Sequence, residues 1–239
     1  MRRPAFLLCV CLAIAACAAG TDARDPWEPV NRRVHSVNLA VANALISPVA
    51  KAYEFAVPQP VRRGISGFLA NIAMPMTILN HGLQGEGQRL GRAAGRFMLN
   101  TSAGVLGIFD VASLAGLPRQ DADFGQTLGV WGWRDSNFIV LPLLGPSTVR
   151  DATGMGIGWL ADPVNTFWRR TGTTRGIDAF RLTYWGMNAL DYAVIGRNLY
   201  SELGKSSIDF YAAMREYYLQ YRAGSLGGKT YEFSMDEEE

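Results

Sequence analysis

The sequence is poor in cysteine. All three cysteines of the 239-residue chain, Cys9, Cys11 and Cys17, lie at its beginning. A disulfide framework needs cysteines spread through the folded region, and a cysteine zinc site needs them clustered at ligand spacing. The sequence therefore excludes both for the region that follows Cys17.

Charged residues are also scarce. They make up 18% of the chain, and 49% of its residues are hydrophobic, whereas about 25% charged residues is typical of soluble domains. Because a soluble domain needs charge to cover its exterior, this composition favours a protein with some surface that does not face water. A large core beneath an ordinary surface is the alternative.

Motifs that carry catalytic or metal chemistry are missing as well. His35 and His81 lie in no zinc or catalytic motif, and the chain has no nucleophile elbow. Gly154, Gly156 and Gly158 follow a helical pattern, so we expect them to permit close helix contacts instead of binding phosphate. The sequence predicts a protein that is not an enzyme, has no cofactor and keeps its function when both histidines are replaced. A hydrolase assembled by folding from distant side chains is the alternative.

An export signal opens the chain. Arg2 and Arg3 precede an apolar run over residues 4–16, and this run is shorter than the roughly 20 residues that span a bilayer. We therefore predict a signal peptide over residues 1–16. Its removal would take two of the 23 basic residues and leave 21 basic against 21 acidic. Nucleic-acid-binding proteins carry a basic surplus, so we expect no nucleic-acid partner.

The end of this signal resembles a bacterial lipobox. Residues 14–17 read Ile-Ala-Ala-Cys, and in a lipobox the cysteine is lipidated and becomes the mature N terminus. We predict a covalent lipid anchor on Cys17 and a small, polar tether over residues 17–25. Ala18 carries no acidic retention signal, which favours the outer membrane. An ordinary secretory signal or an uncleaved anchor are the alternatives.

Helical spacing dominates the rest of the chain. Val30, Val34, Val37, Val41 and Leu45 predict an amphipathic helix that ends before Pro48. The same reasoning predicts further helices over residues 48–57, from residue 60 to Pro75, from about residue 87, from Pro146 to Pro163, over 174–203 and over 208–221. Residues 101–116 are apolar nearly all round, so we expect them to be buried in protein or in lipid. The fold class is all-α, with a single domain over 26–223 and a disordered acidic tail over 224–239.

One segment departs from this helical pattern. Residues 123–147 carry frequent glycines and a β-like run from Phe138 to Leu141 that Pro142 interrupts. We interpret the segment as a long loop or hairpin with an apolar tip. Phe138, Val140, Leu141 and Leu143 are candidates for a gate or a membrane contact. Packing against the rest of the fold is the alternative.

Five strings, taken together and in order, resemble the MlaA (VacJ) family of outer-membrane lipoproteins. They are DPWEPVNR (25–32), VPQPVRRGISGFLANIAMPMTILNHGLQG (57–85), RFMLNTSAGVLGIFDVAS (96–113), DFGQTLGVWG (123–132) and LPLLGPSTVRD (141–151). The lipobox belongs to the same pattern. At Pro29 and Val30 the chain departs from the family, which has a small residue and an aromatic residue there.

The resemblance implies an all-helical ring embedded in the inner leaflet of the outer membrane, with an amphipathic channel. Such proteins pass misplaced phospholipids to a soluble periplasmic carrier, and they associate with outer-membrane porin trimers. A head-group path would need polar side chains, and the candidates for it are Asn31, Arg32, Asn38, Arg89, Arg92 and Arg96. A solvated helix face or local ion pairs are the alternative for all six. A structural tether or porin-assembly factor, or a periplasmic phospholipase, are the competing functions.

Overall fold

The structure is a computed structural model that describes residues 22–162 and 175–226. The predicted signal peptide, the lipid anchor at Cys17 and the tail beyond residue 226 lie outside the described residues. The described part consists of helices and one two-stranded antiparallel hairpin, so the all-α prediction is confirmed.

Helices precede and follow the hairpin along the chain. The elements are α1 (Glu28–Val41), a π-helical turn (Ala42–Ile46), α2 (Ser47–Ala56), α3 (Gln59–Leu83), α4 (Gly87–Ser102), α5 (Val111–Leu114), α6 (Phe124–Val130), β1 (Phe138–Leu141), β2 (Gly145–Thr148), α7 (Val149–Ala161), α8 (Arg175–Ser206) and α9 (Phe210–Leu226). The helices form a closed circuit in which α3 contacts α6, α6 contacts α9, α9 contacts α8, and α8 returns to α2 and α3. This is the ring-like arrangement that the family resemblance implied.

Two prolines do not end helices where the sequence predicted. The first helix continues through the π-helical turn into α2, where Pro48 occupies the first turn. Inside this continuous helix the proline removes one backbone hydrogen bond, and the π-helical turn immediately before it is a usual way for a helix to absorb that loss. Pro75 lies inside α3, between the buried Met74 and Thr77, and the helix runs on to Leu83. Packing on both sides of Pro75 thus outweighs the loss of one backbone hydrogen bond.

The polarity of the described residues is inverted relative to a water-soluble domain. On α1 the buried side chains are Asn31 and His35, whereas Val37 is 60% exposed. Phe55 on α2 is 94% exposed. Among the described residues, more of the buried side chains are polar than apolar. A buried polar side chain and an exposed apolar patch are the informative departures from ordinary burial, and this fold has both.

The small apolar core lies where the hairpin meets α9. β1 and β2 pair in a register that places Phe138 opposite Thr148. Because side chains alternate along a strand, Phe138 and Val140 point to the same side, where they pack with Tyr211 and Met214. The hairpin is thereby fixed to the last helix.

A buried carboxylate joins the beginning of the described chain to α9. Asp25 is fully buried, and its oxygens accept hydrogen bonds from Asn31 Nδ2 at 2.7 Å, the Tyr211 hydroxyl at 2.5 Å and Arg215 Nη1 at 3.2 Å. The predicted tether over residues 17–25 is therefore wrong at its end, because Asp25 is part of the folded domain. The predicted tail likewise begins too early, since α9 extends to Leu226.

A second ionic cluster fastens the other end of α9. Arg222 lies 2.7 Å from Asp123 and 2.8 Å from Asp151, and Arg150 also pairs with Asp151 at 2.8 Å. The Tyr218 hydroxyl donates to Asp151 at 2.9 Å. Burial opposes ionisation of Asp151, but the two arginines hold its pKa below the usual range. The cluster ties α6, α7 and α9 together.

Of the three glycines predicted to be close-contact positions, only Gly154 is one. A Cβ at Gly154 would collide with the backbone of Gly125 on α6, while a Cβ at Gly156 would meet open space and one at Gly158 would make an ordinary contact with Phe124. The helical spacing predicted that glycines of α7 make a close contact, but it could not show which of the three faces α6.

Gly154→Ala should therefore destabilise the protein by about 1–3 kcal/mol, because backbone on both sides has to move apart. Gly156→Ala is the matched control. It adds a methyl group to open space on the same helix and should leave stability unchanged or slightly raised. Thermal unfolding of the two purified variants, followed by circular dichroism, checks this; equal melting temperatures would contradict the close contact.

Candidate functional site

A cavity of about 680 Å³ lies beside α1, between the π-helical turn, the hairpin tip and α8. This volume falls within the range of small-molecule and cofactor sites. Ala189, Ala193 and Gly196 recur at helical spacing on α8 and line the cavity, so this wall of the helix is made of small side chains that leave room.

The cavity is amphipathic. Leu39, Val41 and Ile46 give it an apolar side from α1 and the π-helical turn, and Leu143 and Leu144 add the hairpin tip. Its polar lining residues are His35, Asn38, Asn43, Ser47, Arg197 and Tyr200. A site with both kinds of wall can hold a molecule that has a polar and an apolar part.

Asn38 holds the hairpin tip at the cavity. Its Nδ2 donates to the Leu141 carbonyl at 2.9 Å, and its Oδ1 accepts from the Leu143 N–H at 2.8 Å. Leu143 has a left-handed backbone with φ of 65° and a side chain that is 70% exposed. Asn38 thus lies on the cavity wall, as a path residue would, but its amide group is engaged in positioning the tip.

The hairpin prediction needs a correction at two of its residues. Phe138 and Val140 are buried in the core with α9 and cannot act as a gate. Leu141 is half-buried and does not line the cavity, whereas Leu143 does. Side chains alternate along β1, so Phe138 and Val140 face the core and Leu141 does not. Leu143 lies beyond the strand, in the turn, and reaches the cavity.

Asn31 and Arg32 are structural residues and do not line the cavity. The Asn31 side chain is buried, where it bonds to Asp25 and accepts from the Val140 N–H at 2.9 Å. Arg32 pairs with Glu28 at 2.8 Å and with Asp209 at 2.6 Å. These contacts join α1 to β1 and to the start of α9, so they correct the prediction that both residues line a head-group path.

The three arginines of α4 lie away from the cavity as well. Arg89 pairs with Glu86 at 3.0 Å, and Arg92 is half-buried with no ion pair within residues 22–162 and 175–226. Arg96 is buried and lies 2.9 Å from Asp110. The regular spacing on α4 therefore does not place these arginines at the cavity.

Arg96, Asn100 and Ser113 donate hydrogen bonds to Asp110, which ends a protruding apolar loop over residues 103–110. Within it Val105 and Leu106 are each 54% exposed and Phe109 is 63% exposed. Burial opposes ionisation of Asp110, but hydrogen bonds from Ser113, Asn100 and Arg96 lower its pKa to about 2. The segment expected to be buried in protein or lipid thus contains a loop whose apolar side chains are exposed on the surface of the protein.

The two histidines have different surroundings. His81 is buried, and its ring nitrogens lie 3.1 Å from Glu86 Oε2 and 3.2 Å from the Gln120 carbonyl. His35 lines the cavity, and burial, with Arg32 adding to it, lowers its pKa below 6.5. Replacing both together would disturb a buried hydrogen-bonded side chain and a cavity wall, so the expectation that the double variant keeps full function no longer follows.

The described residues hold no cluster of potential metal ligands. Within the same residues, no helix combines the length and the apolar character needed to cross a membrane.

Sequence reasoning missed Arg197 and Tyr200, which line the cavity from α8. The signal that was present is the row of small residues at 189, 193 and 196, which marks one face of that helix for a close approach or a cavity. Whether such a face makes a close helix contact or lines a cavity depends on how α1 and the hairpin pack, and these elements are distant from α8 in the sequence.

The fold and the cavity define a class of protein: a helical ring with many exposed apolar side chains and many buried polar ones, and with an amphipathic cavity beside the first helix. A family model described as MlaA lipoprotein matches residues 23–225. The chain belongs to the MlaA lipoprotein family.

Individual relatives agree with this assignment. An intermembrane phospholipid transport system lipoprotein of Haemophilus influenzae is 30% identical over 87% of this chain and 84% of its own length. The protein of the same name from Escherichia coli is 35% identical over 64% of each chain. An uncharacterized protein of Rickettsia felis is 34% identical, but the match spans only about half of its length, 51%, and 54% of this chain.

A solved structure also shares the fold. It is described as the structural basis for maintenance of bacterial outer membrane lipid asymmetry, and it superimposes with a TM-score of 0.70 at 30% identity. The match covers 84% of this chain and 98% of the other.

Proposed function

We propose that this chain takes up misplaced phospholipids from the outer leaflet of the outer membrane and passes them to a soluble periplasmic carrier. The observation that carries the proposal is the amphipathic cavity inside a body whose apolar side chains face outward. A phospholipid needs a polar place for its head group and an apolar one for its tails, and this cavity offers both. Phospholipid transport, the function for which the Haemophilus and Escherichia relatives are named, supports the same interpretation.

In this proposal the helical domain is embedded in the inner leaflet of the outer membrane. The exposed side chains of Phe55 on α2 and of Val105, Leu106 and Phe109 on the protruding loop would be costly in water and favourable in hydrocarbon. Helices suit that environment because their backbone groups are paired within each segment. A porin trimer is the expected neighbour in the same membrane.

The hairpin tip gates the cavity. Leu143 and Leu144 are exposed and line it, while the strand residues behind them are fixed in the core. Two bonds from Asn38 hold the tip in the observed position. Movement of the tip therefore requires breaking those two bonds but no rearrangement of the core.

Gene deletion with complementation tests the proposal. Cells that lack the protein should accumulate phospholipid in the outer leaflet and become more sensitive to detergent, and the wild-type gene should reverse both effects. A deletion strain with normal leaflet composition would contradict it. An outer leaflet that is restored only when lysophospholipid also appears would favour a phospholipase.

Cys17→Ala should remove the attachment site of the lipid anchor and so lower the fraction of the protein that is bound to the membrane. Each buried CH₂ of an acyl chain contributes about 0.8 kcal/mol, and two or more chains hold a protein stably. Fractionation of periplasm and outer membranes, with immunoblotting of the two fractions, measures the change. If the variant still sediments with outer membranes after a high-salt wash, the embedded body holds it and the anchor is secondary.

A further inference from the structure

Two polar groups on the cavity wall lack a hydrogen-bond partner among the described residues. His35 Nε2 is buried and unpaired, and the Tyr200 hydroxyl has no partner within residues 22–162 and 175–226. Both rings pack against Phe210, with centroid distances of 5.2 Å and 5.6 Å. Buried polar groups are paired in the great majority of cases. The buried, unpaired His35 nitrogen, with the Tyr200 hydroxyl on the same cavity wall, therefore indicates a place where a ligand supplies the partner.

A cation lies next to these groups. Arg197 is one helical turn before Tyr200 on α8, so the two side chains share a face. Its Nη2 lies 2.6 Å from Glu54 Oε2, and the same carboxylate lies 3.6 Å from Arg62 Nη1. One carboxylate shared by two guanidinium groups leaves a net positive charge on this side. No acidic side chain is among the described residues that line the cavity.

The chemistry of the three groups fits a phosphodiester. A guanidinium carries five N–H donors, of which one ion pair occupies only part, and it binds phosphate through charge-assisted hydrogen bonds. Burial raises the pKa of Tyr200 above its usual value near 10, so the hydroxyl keeps its proton and can donate it. Because burial lowers the pKa of His35, its imidazole is neutral at pH 7, and one nitrogen of a neutral ring can donate.

We propose that Arg197, Tyr200 and His35 bind the head group of a glycerophospholipid, with the phosphate at Arg197 and the neighbouring ester oxygens at Tyr200 and His35. The inference rests on the proposed transport function and names its substrate class. These contacts reach only atoms that all glycerophospholipids share. The site therefore discriminates weakly among head groups and strongly against a neutral lipid such as diacylglycerol, which lacks the phosphate.

Lipid binding by the full-length protein in detergent tests the proposal. The probes are fluorescent phosphatidylglycerol and a diacylglycerol with the same acyl chains and fluorophore. Wild type should bind the phospholipid more tightly. Arg197→Gln should weaken that binding about ten- to a hundred-fold, as expected for loss of a hydrogen bond to a charged group, and should leave diacylglycerol binding unchanged. Arg63→Gln is the matched control, because it removes an exposed arginine of α3 that does not line the cavity, and it should leave phospholipid binding unchanged.

Tyr200→Phe separates ligand binding from folding. It removes only a hydroxyl that has no partner among the described residues, so the melting temperature should stay the same or rise. Phospholipid binding should weaken about two- to ten-fold, the range for one neutral hydrogen bond. Tyr217→Phe, on the exposed surface of α9, controls for the loss of a hydroxyl elsewhere.

The outcomes separate this inference from the function on which it rests. If wild type binds the phospholipid but neither variant weakens it, or if it binds diacylglycerol equally well, the head-group assignment is overturned and transport stands. If wild type binds neither lipid, both are overturned. Should Arg197→Gln fail to fold, the affinity of Tyr200→Phe decides alone.

Discussion

Val140→Asp should abolish the stable fold, whereas Leu143→Asp, three residues further along the same hairpin, should fold normally. Val140 is 5% exposed and packs in the core with Phe138, Tyr211 and Met214. An unpaired carboxylate there costs several kcal/mol, about 3–5 by comparison with broken buried ion pairs. That is a large part of the roughly 5–15 kcal/mol that stabilises a typical domain.

Leu143→Asp is the matched comparison. The side chain is 70% exposed, and its backbone has a positive φ that aspartate adopts more readily than leucine. Its stability should therefore stay within about 0.5 kcal/mol of wild type, while phospholipid transfer falls because the tip loses its apolar surface. Thermal melting in detergent and a transfer assay measure the two effects. Two variants of equal stability would contradict the division between core strand and exposed tip.

Arg222→Met should destabilise the protein by about 3–5 kcal/mol, because it removes the cation that the buried Asp151 shares with the half-exposed Asp123. The Arg222 and Asp151 side chains are 9% and 6% exposed, and their ion pair is 2.8 Å long. Arg150 still faces Asp151, so the loss should fall on the junction of α6 and α9 more than on α7.

Arg119→Met is the control for this second variant. Arg119 pairs with Asp121 on the surface, where the side chains are 51% and 57% exposed. Surface pairs contribute about 0–1 kcal/mol. Urea or thermal unfolding of both variants in detergent gives the comparison. A small and equal effect of the two substitutions would mean that the buried cluster does not hold α9 in place.

Much of the helical pattern could be predicted from the sequence because it depends on local spacing. The helix expected from about residue 87 begins at Gly87, and the one expected over 174–203 spans Arg175–Ser206. Proline was a poorer guide. Whether Pro48 and Pro75 end a helix depends on the packing around them, and tertiary contacts override the local preference.

The candidate site was harder to predict for a different physical reason. A polar residue on a helix of a soluble domain usually faces water, and that expectation assigned Asn31 and Arg32 to an open path. In this fold Asn31 is buried and Arg32 forms ion pairs, so these residues tie α1 to β1 and α9. Arg197 and Tyr200 gave no motif at all. They line the cavity only because the fold places α8 and α1 around it, and these helices are more than a hundred residues apart in the chain.

Transfer of an intact labelled phospholipid to the soluble carrier is the most direct test of the proposed transport function. The full-length protein is reconstituted in vesicles that contain a fluorescent phospholipid, purified carrier is added, and the lipid bound to the carrier is extracted and identified. The carrier should acquire label only when the protein is present, and the recovered lipid should be chemically unchanged. Label that stays in the vesicles, or a product recovered as lysophospholipid and free fatty acid, would contradict it.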